Sequence, residues 1–278
     1  MTLCIKKIRF TAWAMLPFLA LSLSSCEIDT TQQLEERNWT LTWSDEFEGD
    51  SGTSVNPDNW SYDIGRGDNG WGNEELQIYT DNAENIALDG EGNLVITAQR
   101  ELGGQFPTYT SARINTKGKF SQAYGRFEAR LKTPFGPGLW PAFWMLGDNI
   151  DEVSWPQCGE IDIMELRGQA PNITLGSLHG PGYSAGNSIT GSYGLEDGRF
   201  DAEYHIYAVE WFEDRIDFFV DDFLFQRITP DDVSGEWVYD QPFYLLLNVA
   251  VGGTFVGFPS SQTPFPQTMI VDYVRVYQ

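Results

Sequence analysis

The feature that most constrains this 278-residue chain is a series of short segments with alternating apolar and polar side chains. In residues 125–132, Phe127, Ala129 and Leu131 fall on one side of an extended chain, and charged side chains fill the other. Similar β-rich runs occur at 93–99, 207–212, 215–220, 223–227, 243–251 and 269–277. Gly, Pro and Asp separate these runs, and few stretches repeat every 3.6 residues. The sequence therefore predicts an all-β fold, an antiparallel sandwich.

Composition and charge narrow the class of protein further. The chain is 41% hydrophobic and contains 10 Trp, 12 Tyr and 18 Phe, which predicts a packed core rather than disorder. Its formal charge of −23 argues against nucleic-acid binding, which needs Lys and Arg to neutralise phosphates. No internal repeat or Pro- or Ser-rich linker divides residues 38–278, so we expect one domain there.

The N-terminus has the pattern of an export signal. Residues 1–25 contain three basic residues, Lys6, Lys7 and Arg9, followed by 14 uncharged residues at 10–23, too few for the roughly 20 of a comfortable membrane span. The following LSSC, ending at Cys26, resembles the bacterial lipobox, in which the cysteine is acylated. We therefore expect a lipoprotein of the outer membrane or cell surface, with the periplasmic face and a plain signal peptide as alternatives. Residues 26–37 are then the acylated cysteine and a tether.

Removal of residues 1–25 changes both the charge and the cysteine count. The signal contains three basic residues and no acidic residue, so its removal changes the formal charge from −23 to −26. Cys4 is removed, Cys26 is committed to lipid, and Cys158 has no partner. No intrachain disulfide is expected, and packing must stabilise the exported domain.

An acidic segment at 158–165 is the strongest candidate for chemistry. Glu160, Asp162 and Glu165 lie among Ile and Met residues. On a regular strand Glu160 and Asp162 share a face, and Glu165 points to the other. One extra residue in a β-bulge near Ile163 or Met164 returns Glu165 to the same face, so the spacing predicts a bulge.

Three carboxylates on one face raise one another's pKa values. Such an arrangement destabilises the folded protein, so it is expected mainly where the carboxylates have a function. A retaining glycosidase needs two carboxyl groups about 5–5.5 Å apart, one ionised and one protonated. Neighbouring positions on one strand face supply such a pair. A solvated acidic face and a calcium site are the alternatives at this point.

Several segments resemble the bacterial laminarinase and lichenase group of retaining β-glucanases, glycoside hydrolase family 16. They are WGNEELQ (71–77), SARI (111–114), TKGKF (116–120), YGRFEAR (124–130), GLWPAFWML (138–146), CGEIDIME (158–165) and DYVRVY (272–277). They follow the family's order over nearly the whole mature chain. The resemblance implies a β-jelly roll, a sandwich of two curved antiparallel sheets with a concave substrate cleft.

The resemblance also implies roles for the acidic residues. It implies that Glu160 is the nucleophile, Glu165 the general acid/base and Asp162 the assisting carboxylate. The form with a bulge is similar to the laminarinase-like branch, which favours cleavage of internal β-1,3 linkages. Mixed β-1,3-1,4-glucan is the second substrate to expect.

Aromatic and polar residues are candidates for sugar binding. Flat C–H faces of pyranose rings pack on aromatic rings, and sugar hydroxyls need polar partners. Core packing is the alternative for any Trp, but the resemblance favours a cleft position. The candidate contacts are Asn73, Arg113, Trp140, Trp144, Trp155 and His179, with Asn248 as a weaker one. His205 is expected to be structural.

The resemblance implies no cofactor for catalysis but a structural calcium on the convex side. Hard oxygen ligands suit that ion. The corresponding positions are the side chains of Glu48 and Asp272 and the carbonyl of Gly92, with solvated acids as the alternative.

The overall expectation is a monomeric, lipid-anchored endo-β-1,3-glucanase that acts on β-glucan and contacts the membrane only through Cys26. A non-hydrolytic glucan-binding surface protein is the main rival, although binding alone does not require the carboxylate trio. Transglycosylation stays open as a side activity. Cleavage of agar or carrageenan is disfavoured, because sulfated chains call for a basic cleft and this chain is strongly acidic.

Overall fold

Two β-sheets contain nearly all the regular structure in the computed structural model, which describes residues 32, 37–103 and 108–278. The strands are β1 Leu41–Asp45, β2 Ser61–Tyr62, β3 Gln77–Tyr79, β4 Ile86–Leu88, β5 Leu94–Glu101, β6 Thr108–Ser111, β7 Arg113–Asn115, β8 Gly125–Lys132, β9 Leu139–Gly147, β10 Glu160–Leu166, β11 Ile173–His179, β12 Ile189–Gly194, β13 His205–Phe212, β14 Arg215–Val220, β15 Phe223–Ile228, β16 Phe243–Val251 and β17 Gln267–Tyr277. The helical pieces are α1 Ile150–Val153, a π turn at Gly70–Glu74 and 3₁₀ turns at Ala185–Asn187 and Pro230–Asp232.

The sheets differ in size and in the strands they use. One has ten strands in the order β15-β14-β13-β8-β17-β5-β6-β3, with β1 beside β17 and β4 beside β5. The other has seven in the order β12-β11-β10-β9-β16-β7-β2 and contains the acidic strand β10. Pairing is antiparallel except between β3 and β6, which run parallel. The predicted all-β sandwich is confirmed, with this one parallel pair as a departure.

Alternation along the strands of the smaller sheet separates the core from the site. On β9, Phe143 and Met145 face the core between the sheets, and Trp140 and Trp144 point to the opposite face. On β16, Leu245 and Leu247 join the same core. The face away from the core, called the cleft face below, therefore contains every second residue of β9, β11 and β16, together with the side chains of β10 that point away from the core.

The charged side of β8 is more buried than the alternating pattern predicts. β8 is a strand, as predicted, but Arg126 and Glu128 on its charged side are only 9% and 7% exposed. Arg126 pairs with Glu128 at 2.7 Å, Glu210 at 3.2 Å and Asp222 at 2.8 Å, and these ion pairs compensate the buried charge.

A two-residue turn connects β14 to β15. Asp221 and Asp222 have φ values of 49° and 63°, and positive φ at both central residues is the conformation of a type I′ hairpin turn. The Asp221 carboxylate lies 2.6 Å from Nδ1 of His205 and accepts a hydrogen bond from the Ile206 N–H. These contacts give His205 the structural position expected for it.

The export signal at 1–25, the acylation site at Cys26 and most of the tether at 26–37 lie outside the described residues and stay predictions. Residues 37–103 and 108–278 lie in one compact unit. No helix among the described residues has the length and apolar character needed to cross a membrane.

Candidate active site

A β-bulge in β10 brings the three acids to one face. Asp162 lies opposite Trp144 of β9, but the next pair is Met164 with Phe143, so Ile163 is the extra residue. Ile163 and Met164, although consecutive, both face the core. Glu165 consequently returns to the cleft face beside Asp162, and the predicted bulge is confirmed.

The carboxyl groups are buried rather than solvated. Asp162 and Glu165 are 3% and 7% exposed, and 17% of the Glu160 side chain is accessible. A solvated acidic face, one alternative from the sequence, is therefore wrong. Burial of three like-charged groups in one place is a feature typical of functional sites.

His179 of β11 contacts two of the acids. Its Nε2 lies 3.1 Å from Asp162 Oδ2 and 3.9 Å from Glu160 Oε1. Its Nδ1 accepts a hydrogen bond from the Ala185 N–H at 3.1 Å, so the proton of the neutral ring resides on Nε2, the nitrogen nearer the acids. An imidazole nitrogen is a poor calcium ligand, which weighs against a calcium site at these carboxylates.

Glu165 has a different set of partners. The Trp140 indole N–H donates to Oε1 at 2.9 Å, and Ser177 Oγ lies 3.4 Å from Oε2. Arg167 and His179 lie nearby, and both lower the pKa of Glu165. Glu165 is thus held through both of its oxygens, at the end of the bulge.

The electrostatics of the cluster follow mainly from burial. Loss of solvation, followed by the charge of Asp162, raises the pKa of Glu160 to about 8. Burial also raises the pKa values of Asp162 and Glu165, and the two groups act on each other. The three acids therefore share protons near neutral pH, and their titration steps belong to the cluster rather than to single residues.

An aromatic and cationic wall adjoins the acids on the β9 side. The Trp144 indole N–H donates to Asn248 Oδ1 at 2.8 Å, which fixes the ring plane. The Arg113 guanidinium lies 4.8 Å from the Trp144 ring and 4.6 Å from the Trp71 ring, and it pairs with Asp63 at 2.7 Å. The structure thus joins two predicted contacts, Arg113 and Trp144, into one stack.

Asn73 lies in the tight turn that precedes β3. Its Nδ2 donates to Glu75 Oε1 at 3.1 Å, and Gln77 donates to Glu75 Oε2 at 2.6 Å. Burial raises the pKa of Glu75, which is 8% exposed. The sequence did not predict a role for Glu75, because the 71–77 segment does not show which of its two acids is buried. The exposed neighbour, Glu74, has no assigned role.

Trp155 lies on the opposite side of Glu160 from this wall. It is 42% exposed, it lowers the pKa of the neighbouring Glu160, and its ring centre lies 6.1 Å from that of His179. An exposed indole beside the carboxylates is suited to packing against a sugar ring.

The proposed calcium ligands lie away from the acids. Glu48 and Gly92 are adjacent, because a Cβ atom added to Gly92 would lie 3.8 Å from Glu48 Oε1. Asp272 uses Oδ2 in an ion pair with Arg130 at 2.5 Å. Carboxylate and carbonyl oxygens fit calcium, although one oxygen of Asp272 is engaged by Arg130.

The pKa of Glu160 predicts a pH-dependent cost to stability. Folded Glu160 keeps its proton up to about pH 8, whereas the unfolded carboxyl, whose ordinary pKa is 4.5, releases its proton earlier. Stability from this group is therefore present below pH 4.5 and lost as the pH rises through 8. We expect Glu160→Gln to gain stability over wild type across this interval, by about 1–4 kcal/mol at its upper end.

Urea unfolding at several pH values checks this expectation. The exposed Glu203, which precedes β13, supplies a matched control as Glu203→Gln. The control should differ from wild type by a constant amount. A difference between Glu160→Gln and wild type that does not change with pH would contradict the account.

Comparison with known proteins places this geometry in a family. A β-glucanase of Rhodothermus marinus is 42% identical over 253 residues, which cover 87% of this chain and 86% of that protein. The laminarinase catalytic domain from Thermotoga maritima superposes with a TM-score of 0.80 at 46% identity, covering 87% of this chain and 99% of that one. The endo-β-1,3-glucanase from Pyrococcus furiosus gives 0.81 at 45% identity, covering 86% and 94%.

The sequence model of glycosyl hydrolases family 16 matches residues 71–275, which include every cleft residue described above. The match extends from the turn that contains Asn73 to the last strand, β17. The chain belongs to glycosyl hydrolase family 16.

Proposed function

We propose that this protein is a retaining endo-β-1,3-glucanase with Glu160 as nucleophile and Glu165 as general acid/base. The main supporting observation is the bulge, which brings both residues to the cleft face next to Asp162. Family membership supports hydrolysis, and the laminarinase and endo-β-1,3-glucanase relatives support the linkage.

In the first half-reaction, Glu165 donates its proton to the glycosidic oxygen, and that bond to the anomeric carbon breaks. Glu160, ionised, attacks the anomeric carbon and forms a glycosyl ester. The raised pKa of Glu165 suits an acid that must hold its proton near neutral pH. The reactive form of the cluster is the one in which Glu160 is ionised and Glu165 is protonated, and it is one of several forms among which the three acids share their protons near neutral pH.

In the second half-reaction, Glu165 takes a proton from water, which attacks the anomeric carbon and releases Glu160. Asp162 and His179 keep Glu160 in place, since the Nε2 of His179 contacts both carboxylates. The Trp140 N–H holds Glu165 by its other oxygen. These contacts fix both catalytic groups before substrate arrives.

The cleft surroundings suit a neutral sugar chain. Trp144 and Arg113 form a wall on one side of the acids, and Trp155 is exposed on the other. The formal charge of −23 disfavours sulfated polysaccharides. A mixed-linkage β-1,3-1,4-glucan stays the second candidate, because these contacts do not by themselves select one linkage. No cofactor enters the reaction.

Hydrolysis of a panel of polysaccharides tests this proposal. Laminarin, mixed-linkage glucan, curdlan, agarose and carrageenan would be incubated with wild type and Glu160→Gln, with Glu203→Gln as control. We expect fastest hydrolysis of laminarin, and a loss of about 10³-fold or more in Glu160→Gln, because the nucleophile is removed.

Two results would contradict the proposal. Full activity of Glu160→Gln would contradict the mechanism. Binding of laminarin without hydrolysis of any glucan by wild type would instead support the rival, a glucan-binding surface protein. Faster cleavage of mixed-linkage glucan than of laminarin would show that mixed-linkage glucan, the second candidate, is the preferred substrate.

We also propose that Glu48, Gly92 and Asp272 hold a structural calcium ion. Chelation should then lower Tm by roughly 3–8 °C, since an ion that binds only the folded state stabilises it. Added calcium should restore Tm in wild type but not in Glu48→Gln. An unchanged Tm after chelation would contradict calcium binding and leave the catalytic proposal intact.

A further inference from the structure

Three hydroxyl groups connect Glu165 to the surface of the cleft face. Ser177 Oγ lies 3.4 Å from Glu165 Oε2 and 2.9 Å from Thr190 Oγ1. Thr190 Oγ1 lies 2.8 Å from Ser188 Oγ. Ser177 is buried at 2% exposure, and Thr190 is exposed. This series of hydroxyl groups therefore begins at a buried carboxyl group and ends at the solvent-exposed surface.

The strand register produces this arrangement. Ser177 of β11 lies directly opposite Asp162, and Thr190 of β12 lies directly opposite Ser177. Directly paired residues point to the same face of a sheet, so the two hydroxyls share the cleft face with the acids. The bulge then brings Glu165 within reach of Ser177.

Hydroxyl groups suit a carboxyl group that changes its protonation state. The Trp140 N–H can only donate, so its bond to Glu165 suits an accepting oxygen. A hydroxyl both donates and accepts. When Glu165 is ionised, Ser188 donates to Thr190, Thr190 to Ser177, and Ser177 to the carboxylate. When Oε2 of Glu165 carries the proton, all three hydroxyls rotate and the direction reverses.

We infer that Ser177, Thr190 and Ser188 form a reversible hydrogen-bond chain that positions Glu165 in both of its protonation states. The inference rests on the proposed role of Glu165 as acid/base, a role that requires it to lose and regain a proton in every turnover. Ser177 is a positioning residue, since it acts through Glu165 and not on the substrate. The 3.4 Å contact is long, as catalytic hydrogen bonds often are without substrate.

Charged groups around Glu165 also affect its pKa, in addition to the hydrogen-bond chain. They are Glu160 and Asp162 on β10, His179 on β11 and Arg167 just after β10. Burial raises the pKa of Glu165, whereas His179, the Trp140 N–H and the Ser177 hydroxyl lower it. Removal of the Ser177 hydroxyl should therefore raise that pKa further and leave the other groups in place.

Ser177→Ala gives the first measurement. Glu165 must be protonated at the start of the reaction, so its loss of a proton defines the basic limb of the kcat/KM profile. We expect this limb to move up by about 0.5–1 pH unit in the variant. At the pH optimum, kcat/KM on laminarin should fall roughly 3- to 30-fold. An aryl β-glucoside oligomer with a good leaving group should lose less, because its departure needs little protonation.

Thr190 provides a matched pair that tests the chain beyond Ser177. Thr190→Val keeps the side-chain shape but removes the hydroxyl, and Thr190→Ser keeps the hydroxyl. Both changes are at an exposed position and should leave the fold intact. We expect Thr190→Val to move the basic limb upward by less than Ser177→Ala does, and Thr190→Ser to leave it in place. Ser192→Ala, on the same face of β12, is the control for loss of a hydroxyl outside the chain.

The outcomes separate this inference from the proposed function. If Glu165→Gln keeps full activity on laminarin, the acid/base assignment fails and the inference fails with it. If Glu165→Gln is inactive but neither Ser177→Ala nor Thr190→Val moves the basic limb, only the inference fails. A shift in Ser177→Ala without one in Thr190→Val would also overturn the chain, since Ser177 would then act alone.

Discussion

The burial of three carboxyl groups on one bulged strand is the constraint on which the rest of the site depends. Without the extra residue at Ile163, Glu165 would point into the hydrophobic core. With it, the two apolar neighbours Ile163 and Met164 both face the core, and the acids meet on the cleft face. One inserted residue therefore serves both packing and chemistry, because it separates six consecutive side chains into an apolar set and an acidic set.

The side chains around Glu160 differ from those around Glu165 in how they stabilise the ionised carboxyl group. His179 and Trp155 lie beside Glu160, and both favour its ionised form. Glu165 is held by one fixed donor, Trp140, and by one hydroxyl, Ser177, that can reverse. The two carboxyl groups thus have environments that suit different tasks: Glu160 must be ionised when it attacks, and Glu165 must lose and regain a proton. Burial of the cluster costs stability, which the large apolar core between the sheets offsets.

The sequence predicts most of the strands because alternating patterns depend only on neighbouring residues. Residues 125–132, 215–220 and 243–251 coincide with β8, β14 and β16. The bulge was predictable for the same reason, from the spacing of the acids alone. Contacts between distant segments were not predictable in this way. The burial of Arg126 depends on Asp222, almost a hundred residues later, and Ser177 acquires a role only through the pairing of β10 with β11 and β12. Glu75 likewise becomes notable only once its partners are known.

The central claim, that Glu160 attacks the anomeric carbon, is tested most directly by trapping the glycosyl ester. A 2-deoxy-2-fluoro β-1,3-glucosyl oligomer with a good leaving group slows both steps, because fluorine destabilises the positively charged transition states. The good leaving group restores the first step, so the ester accumulates. Peptide mapping by mass spectrometry should then find the sugar on Glu160. Sugar attached to Asp162 or Glu165, or turnover whose first product has the inverted anomeric configuration, would contradict the account.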